Sequence, residues 1–190
     1  SAFSTHPLKK LSALGYGGFI VTNKKKLFDK IKLYRNHGLK GRDNAVEIGV
    51  NSRLDSLNAE VLNFRLTKLN SLINKRQKHI NLYKRFIKTD KVRIIEDKKE
   101  QKNSHVMFIV LCENRDGLQK YLAKHNIQSL VYYKTPLHMH SSTKFLGYQK
   151  GDLPVAEKIA TKVLALPHHQ HLTSHEIKKV CSVIQKFYSL

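Results

Sequence analysis

The sequence predicts an α/β fold, on two observations. Short β-branched runs alternate with longer segments whose apolar residues recur at helical spacing. Hydrophobic residues make up 41% of the 190 positions, enough for a core and too many for a disordered chain.

Phe19 to Thr22, following Gly17-Gly18, is apolar and β-branched and reads as a strand. Asn23 is placed to cap a helix from about Lys24 to Asn36, with Leu27, Ile31 and Tyr34 on one face. His37-Gly38 ends it, with Gly38 expected at the C′ position. Residues 39–50 are polar and irregular, a loop. Asp55 is a candidate cap for a long helical stretch carrying Leu57, Val61, Phe64, Leu69, Leu72, Ile73, Ile80, Tyr83 and Phe86. A break is expected near Asn70 or Ser71, and with it a domain boundary.

Beyond the boundary, strands are expected over 92–95 and 106–112, separated by a lysine-rich turn, then a helix over 116–125 and a strand over 127–133. Residues 134–152 form a long loop of the kind that often carries function. Pro154 suits the first position of a helix running toward Lys162. Thr173-x-x-Glu176 is a capping box opening a last helix, with Ile177, Val180, Cys181, Ile184 and Phe187 on one side. This alternation of strands and helices after residue 71 fits a compact α/β sandwich.

Composition narrows the function. The formal charge is +21, from 35 basic and 14 acidic residues, which raises a nucleic-acid reading. Eight of the basic residues are arginine and 27 are lysine, scattered through every segment rather than gathered on a face that reads bases. A lysine-biased proteome, or an anionic small substrate, accounts for the excess as well. No apolar run approaches the roughly 18 residues that span a bilayer, and no signal-peptide pattern opens the chain, so no membrane insertion and a cytoplasmic location are expected. Cys112 and Cys181 lack the spacing of a zinc site and lie in apolar settings. His138-x-His140 and His168-His169-x-His171 have no acidic or cysteine partner to complete a metal site, and none is expected.

A lysine in a glycine-rich turn between strands contacts phosphate or attaches a carbonyl cofactor. The pattern GxxxxGK[ST] is absent, which argues against a nucleoside triphosphate loop. The stretch Ser4-Thr5-His6-Pro7-Leu8-Lys9, with Gly15-Tyr16-Gly17-Gly18 and Ile20-Val21-Thr22, resembles the lysine segment of the DegT/DnrJ/EryC1/StrS sugar aminotransferases. Further blocks follow in the family's order. They are Arg35-Asn36-His37-Gly38, Gly49-Val50-Asn51-Ser52-Arg53-Leu54-Asp55, Tyr132-Tyr133-x-x-Pro136-Leu137-His138, Gly151-Asp152-Leu153-Pro154-Val155-Ala156-Glu157, and Leu164-Ala165-Leu166-Pro167 with Leu172-Thr173.

The resemblance implies a pyridoxal 5′-phosphate enzyme of the aspartate-aminotransferase fold type (fold type I). Residues 1–70 would be the end of the cofactor-binding large domain, with the lysine segment and an interdomain helix. Residues 71–190 would be the C-terminal small α/β domain. Position by position, Lys9 is the lysine that attaches to the cofactor and moves the substrate proton, with Lys10 its nearest rival. Ser4 would hydrogen-bond the cofactor phosphate, and Asn51 would reach the phosphate in a neighbouring subunit, implying a homodimer with shared sites. His138 and Arg53 would face the substrate, Arg53 otherwise pairing with Asp55. The implied reaction aminates a nucleotide-linked keto sugar, with glutamate as donor, in polysaccharide or glycan biosynthesis.

Two residues depart from the pattern. Tyr16 stands where the family usually has a carboxylate, and Val50 where tyrosine is frequent. A related dehydratase subgroup has histidine at the lysine position, so Lys9 favours amino transfer. The family's chains are about twice this long, and the implied reading is the C-terminal half of such an enzyme. Two rivals follow: a catalytically silent fragment, and a lysine-rich nucleic-acid-binding protein.

Overall fold

The computed structural model describes residues 1–98, 100–101 and 103–189. Strands β1 (Ala2–Ser4) and β2 (Gly18–Ile20) pair antiparallel, with Phe3 opposite Phe19 and Ser4 opposite Gly18. The two phenylalanine rings stack 4.9 Å apart, an ordinary cross-strand stabilisation. The sequence implies a strand on each side of the lysine turn but sets no bounds for β1, because three residues are too few to show alternation. The expected strand over 19–22 is correspondingly shorter and starts one residue earlier.

Helix α1 (Lys25–Tyr34) starts without the Asn23 cap; the Thr22 hydroxyl accepts the Lys24 N–H instead, at 3.1 Å. At its far end the Leu33 carbonyl accepts from both Asn36 N–H and Gly38 N–H, at 3.0 and 2.9 Å. The C-cap is Arg35, not His37, and the left-handed residues come later, His37 at φ 59° and Gly38 at φ 70°. A Cβ on Gly38 would lie 1.7 Å from the Glu47 carbonyl oxygen, so only glycine fits there.

Helix α2 (Ser56–Phe86) is unbroken, against the break expected near Asn70. No proline or glycine occurs within it, and both Asn70 and Ser71 are exposed, so nothing there competes with helix hydrogen bonds. The chain nevertheless divides into two compact units, Ser1–Ser71 and Leu72 onward, with the division inside this helix.

The first unit has a thin core of Thr5, Ala13 and Leu62, and leaves Phe3, Phe19, Ile20, Val21 and Phe28 substantially exposed. The second is built on the antiparallel sheet β3 (Val92–Ile94), β4 (Phe108–Cys112) and β5 (Val163–Leu166), in the order β3-β4-β5. Helices α3 (Arg115–Lys124), α4 (Pro154–Ala160) and α5 (Ser174–Tyr188) complete it. Val110, Leu118, Leu122, Leu164, Ile177 and Ile184 are fully buried and cluster with Ile80 and Tyr83, which places the core between the sheet, α3, α5 and the C-terminal part of α2. Tyr83 packs on Phe108 and donates its hydroxyl to the Pro167 carbonyl at 2.8 Å, satisfying a polar group that burial would otherwise penalise. The capping box forms as expected, with the Glu176 N–H donating to Thr173 Oγ1 and the Thr173 N–H to Glu176 Oε2.

The expected strand over 127–133 is a correction. Only Leu130 pairs, with Ala165, in an isolated bridge. The start of the segment is engaged by α3: the Ile127 N–H returns to the Leu122 carbonyl at 2.9 Å, and Gln119 Nε2 donates to the Ser129 carbonyl at 3.1 Å. The sheet position falls to β5, whose residues Val163–Leu166 carried no strand assignment from sequence.

Candidate functional site

Lys9 sits on the loop joining β1 to β2, and the backbone before it can be accounted for donor by donor. The His6 N–H donates to Ser4 Oγ at 3.3 Å. Pro7 has no N–H. The Leu8 N–H donates to His6 Nδ1 at 3.1 Å, and the Lys9 N–H to the His6 carbonyl at 2.8 Å. The turn presenting the lysine is thus closed by backbone and side chain of one residue. The base of the loop is closed by Thr5 N–H to the Gly17 carbonyl at 2.9 Å and Ala13 N–H to the Thr5 carbonyl at 2.7 Å. Thr5 Oγ1 is buried without a hydrogen-bond partner among the described residues, and a Cβ on Gly17 would lie 2.7 Å from it.

The return limb is held by α2. Arg65 Nη1 donates to the Ser12 carbonyl at 2.6 Å, to Ser12 Oγ at 2.7 Å and to the Ala13 carbonyl at 3.3 Å. Asn58 Oδ1 accepts the Leu14 N–H at 3.0 Å. Between these anchors the Lys9 side chain is exposed, and no hydrogen bond or ion pair among the described residues engages its amine. Tyr16, the departure from the family pattern, lies edge-on to the His6 ring with centroids 5.1 Å apart.

In the same unit, the Arg35–Gly38 and Gly49–Asp55 blocks are zipped together. Asn36 and Asn51 form a bridge, Val50 N–H donates to the Tyr34 carbonyl at 2.7 Å, and Ser52 N–H to the Arg35 carbonyl at 2.9 Å. Arg53 donates to Asn36 Oδ1 rather than to Asp55, whose carboxylate faces the Asn58 amide. The Asn51 side chain is exposed and unengaged among the described residues.

His138 lies in the second unit, on the long loop, which folds into two short 3-10 helices, Leu137–Met139 and Ser141–Leu146. Its ring is buried, with Nε2 3.1 Å from Glu157 Oε1. The same oxygen accepts the Gly151 N–H at 2.8 Å and the Leu153 N–H at 3.4 Å. These contacts, the Gly151 N–H first, hold the Glu157 carboxyl below its ordinary range. Burial raises the Cys112 and Cys181 thiols to about 12, so both stay protonated and unreactive at neutral pH. No group of three or more metal-ligating side chains converges among the described residues, and no helix among them is long and apolar enough to cross a membrane.

Sequence reasoning named Lys9, Ser4, Asn51, Arg53 and His138 but gave no role to His6, Asn58, Arg65 or Glu157. His6 and Glu157 stand inside the quoted blocks, so a signal was present. Arg65 and Asn58 carried none, because their partners lie 53 and 44 positions away.

A family model described as the DegT/DnrJ/EryC1/StrS aminotransferase family matches residues 1–185. The chain is 34% identical to a "Pleiotropic regulatory protein" of Geobacillus stearothermophilus, over 99% of this chain and 51% of that protein. It is 30% identical to a dTDP-3-amino-3,6-dideoxy-alpha-D-galactopyranose transaminase of Aneurinibacillus thermoaerophilus, over 90% of this chain and 47% of that one. It superposes on the crystal structure of S. venezuelae DesV in complex with a ketimine intermediate, with a TM-score of 0.95 at 29% identity, covering 100% of this chain and 51% of that chain. The chain therefore spans about half the length of the curated relatives it matches.

Proposed function

Because the chain belongs to the DegT/DnrJ/EryC1/StrS aminotransferase family, we propose that it supplies the lysine-bearing part of a pyridoxal 5′-phosphate-dependent sugar aminotransferase. The reaction passes an amino group, with glutamate as donor, to a nucleotide-linked keto sugar in polysaccharide or glycan biosynthesis. In this reading residues 1–70 end the cofactor-binding domain, residues 71–190 form the small domain, and the enzyme works as a cytoplasmic homodimer with shared sites. The transaminase named among the relatives supports the substrate class.

The observation that carries the proposal is the Lys9 amine, exposed and unengaged among the described residues, on a loop whose backbone is anchored on both sides. The residues present fit a phosphate-bearing carbonyl cofactor. Ser4 Oγ accepts the His6 N–H, which leaves its own proton free to donate to a phosphate oxygen. The Asn51 amide is likewise available as a donor. When bound, pyridoxal phosphate supplies an aldehyde that condenses with amines and a ring that draws electrons from the carbon losing its proton. Lys9 provides the attaching amine and, when free and neutral, takes a proton from the substrate carbon and returns one. Arg53, pinned by Asn36, presents positive charge toward an anionic substrate. His138 acts on the substrate side through the loop it braces.

Incubating the full-length protein with pyridoxal phosphate and reducing with borohydride should leave the cofactor on the Lys9 peptide. Lys9→Ala should abolish that label. Label on another lysine, or none on the folded wild type, would overturn the proposal. The same trapping on the 190-residue chain alone decides whether this piece is silent when isolated.

A further inference from the structure

We propose that His6 is a positioning residue for Lys9, acting through a neutral imidazole whose Nδ1 closes the turn that presents the lysine. The inference rests on the reading that Lys9 is the reactive amine. Three contacts of one residue define the turn: His6 N–H to Ser4 Oγ, Leu8 N–H to His6 Nδ1, and Lys9 N–H to the His6 carbonyl. An imidazole nitrogen that accepts a backbone N–H carries no proton, so the ring is the neutral form with its hydrogen on Nε2. This is the geometry by which asparagine and aspartate side chains fold a turn over the residue two positions on. Pro7, fixed in φ and lacking a donor, leaves the Leu8 N–H as the only amide between His6 and Lys9 for the ring to take.

Tyr16 completes the arrangement. Its ring meets the imidazole edge-on at 5.1 Å, which holds the histidine rotamer without bringing a carboxylate beside it. Tyr16, the departure from the family pattern, thus packs against the ring whose Nδ1 accepts the Leu8 N–H. Ser4 is drawn in as well, because its oxygen accepts from His6 while its proton remains free for the cofactor phosphate.

The test uses full-length protein and three forms of residue 6. His6→Phe keeps a ring against Tyr16 but has no acceptor, whereas His6→Asn restores an oxygen able to accept the Leu8 N–H. The rate of borohydride-trappable attachment of pyridoxal phosphate at Lys9 should fall about tenfold in His6→Phe and return to within about threefold of wild type in His6→Asn. Nitrogen-15 spectra of the cofactor-free wild type at neutral pH should show His6 as the Nε2–H tautomer. An unchanged rate in His6→Phe, a His6→Asn rate as slow as His6→Phe, or an Nδ1–H tautomer would each overturn this inference alone. Absence of label in the wild type would overturn the functional reading and this inference with it. Should His6→Phe fail to fold, the tautomer of the wild type still decides.

Discussion

Arg65 and Ser12, 53 positions apart, are joined by two hydrogen bonds from a single guanidinium nitrogen, at 2.6 Å to the Ser12 carbonyl and 2.7 Å to its hydroxyl. The contact ties the loop that carries Lys9 to the part of α2 that lies in the first unit. Replacing Arg65 with methionine keeps the apolar stem but leaves the Ser12 and Ala13 carbonyls without their charged donor. A loss of about 2 kcal/mol is expected, since a hydrogen bond from a charged group contributes about 1.5–3 kcal/mol and the single Nη1 shares its protons among these acceptors. Chemical denaturation should register it, and hydrogen exchange should show lost protection at Ala13 and Leu14. Arg65→Lys should recover part of the loss.

Gly38 holds φ 70° with the Glu47 carbonyl oxygen where a side chain would begin. Gly38→Ala must move the backbone that zips the Arg35–Gly38 block to the Gly49–Asp55 block. A cost of about 3 kcal/mol or more is expected, from left-handed strain together with the clash. Thermal melting of the full-length protein measures it. A melting temperature unchanged within error would contradict the assignment.

Glu157 gathers Gly151, His138 and Leu153 onto one carboxylate oxygen, and its pKa is lowered by those contacts. A carboxyl with a depressed folded pKa contributes stability that is present above its unfolded value and lost as pH falls through the folded one. Residues 134–152 should therefore become more susceptible to proteolysis below the ordinary carboxylate range. Glu157→Gln should show the heightened susceptibility already at neutral pH, with little further change on acidification.

The last helix opens on a complete capping box. Thr173→Ala removes the acceptor of the Glu176 N–H and should cost about 1 kcal/mol, readable as a shift of the denaturation midpoint at unchanged slope. Leu164→Ala, in the middle of β5 and fully buried, should cost about 2–5 kcal/mol by leaving a cavity in the sheet–helix core.

Element types were legible where a period had room to repeat. The last helix, from its Thr173-x-x-Glu176 signature to the stripe ending at Phe187, could be read whole because cap and stripe are local. The run from Ile127 to Tyr133 had the composition of a strand, yet a strand exists only where a partner strand offers its ladder. Gln119 and Leu122 of α3 had already engaged that backbone. Val163–Leu166, short and quoted only as part of a family block, took the sheet position because β4 pairs with it over four residues.

The sequence by itself determined the order of the family blocks and the helices whose apolar stripes and caps lie within a few residues of one another. Only the tertiary structure decided that Arg65 and Asn58 hold the lysine loop, that Arg53 meets Asn36 instead of Asp55, and that His138 is buried against Glu157. Local dihedral preference and hydrophobic period act over a turn or two of chain. Which donor meets which acceptor across 17 to 53 positions depends on where the folded chain brings them.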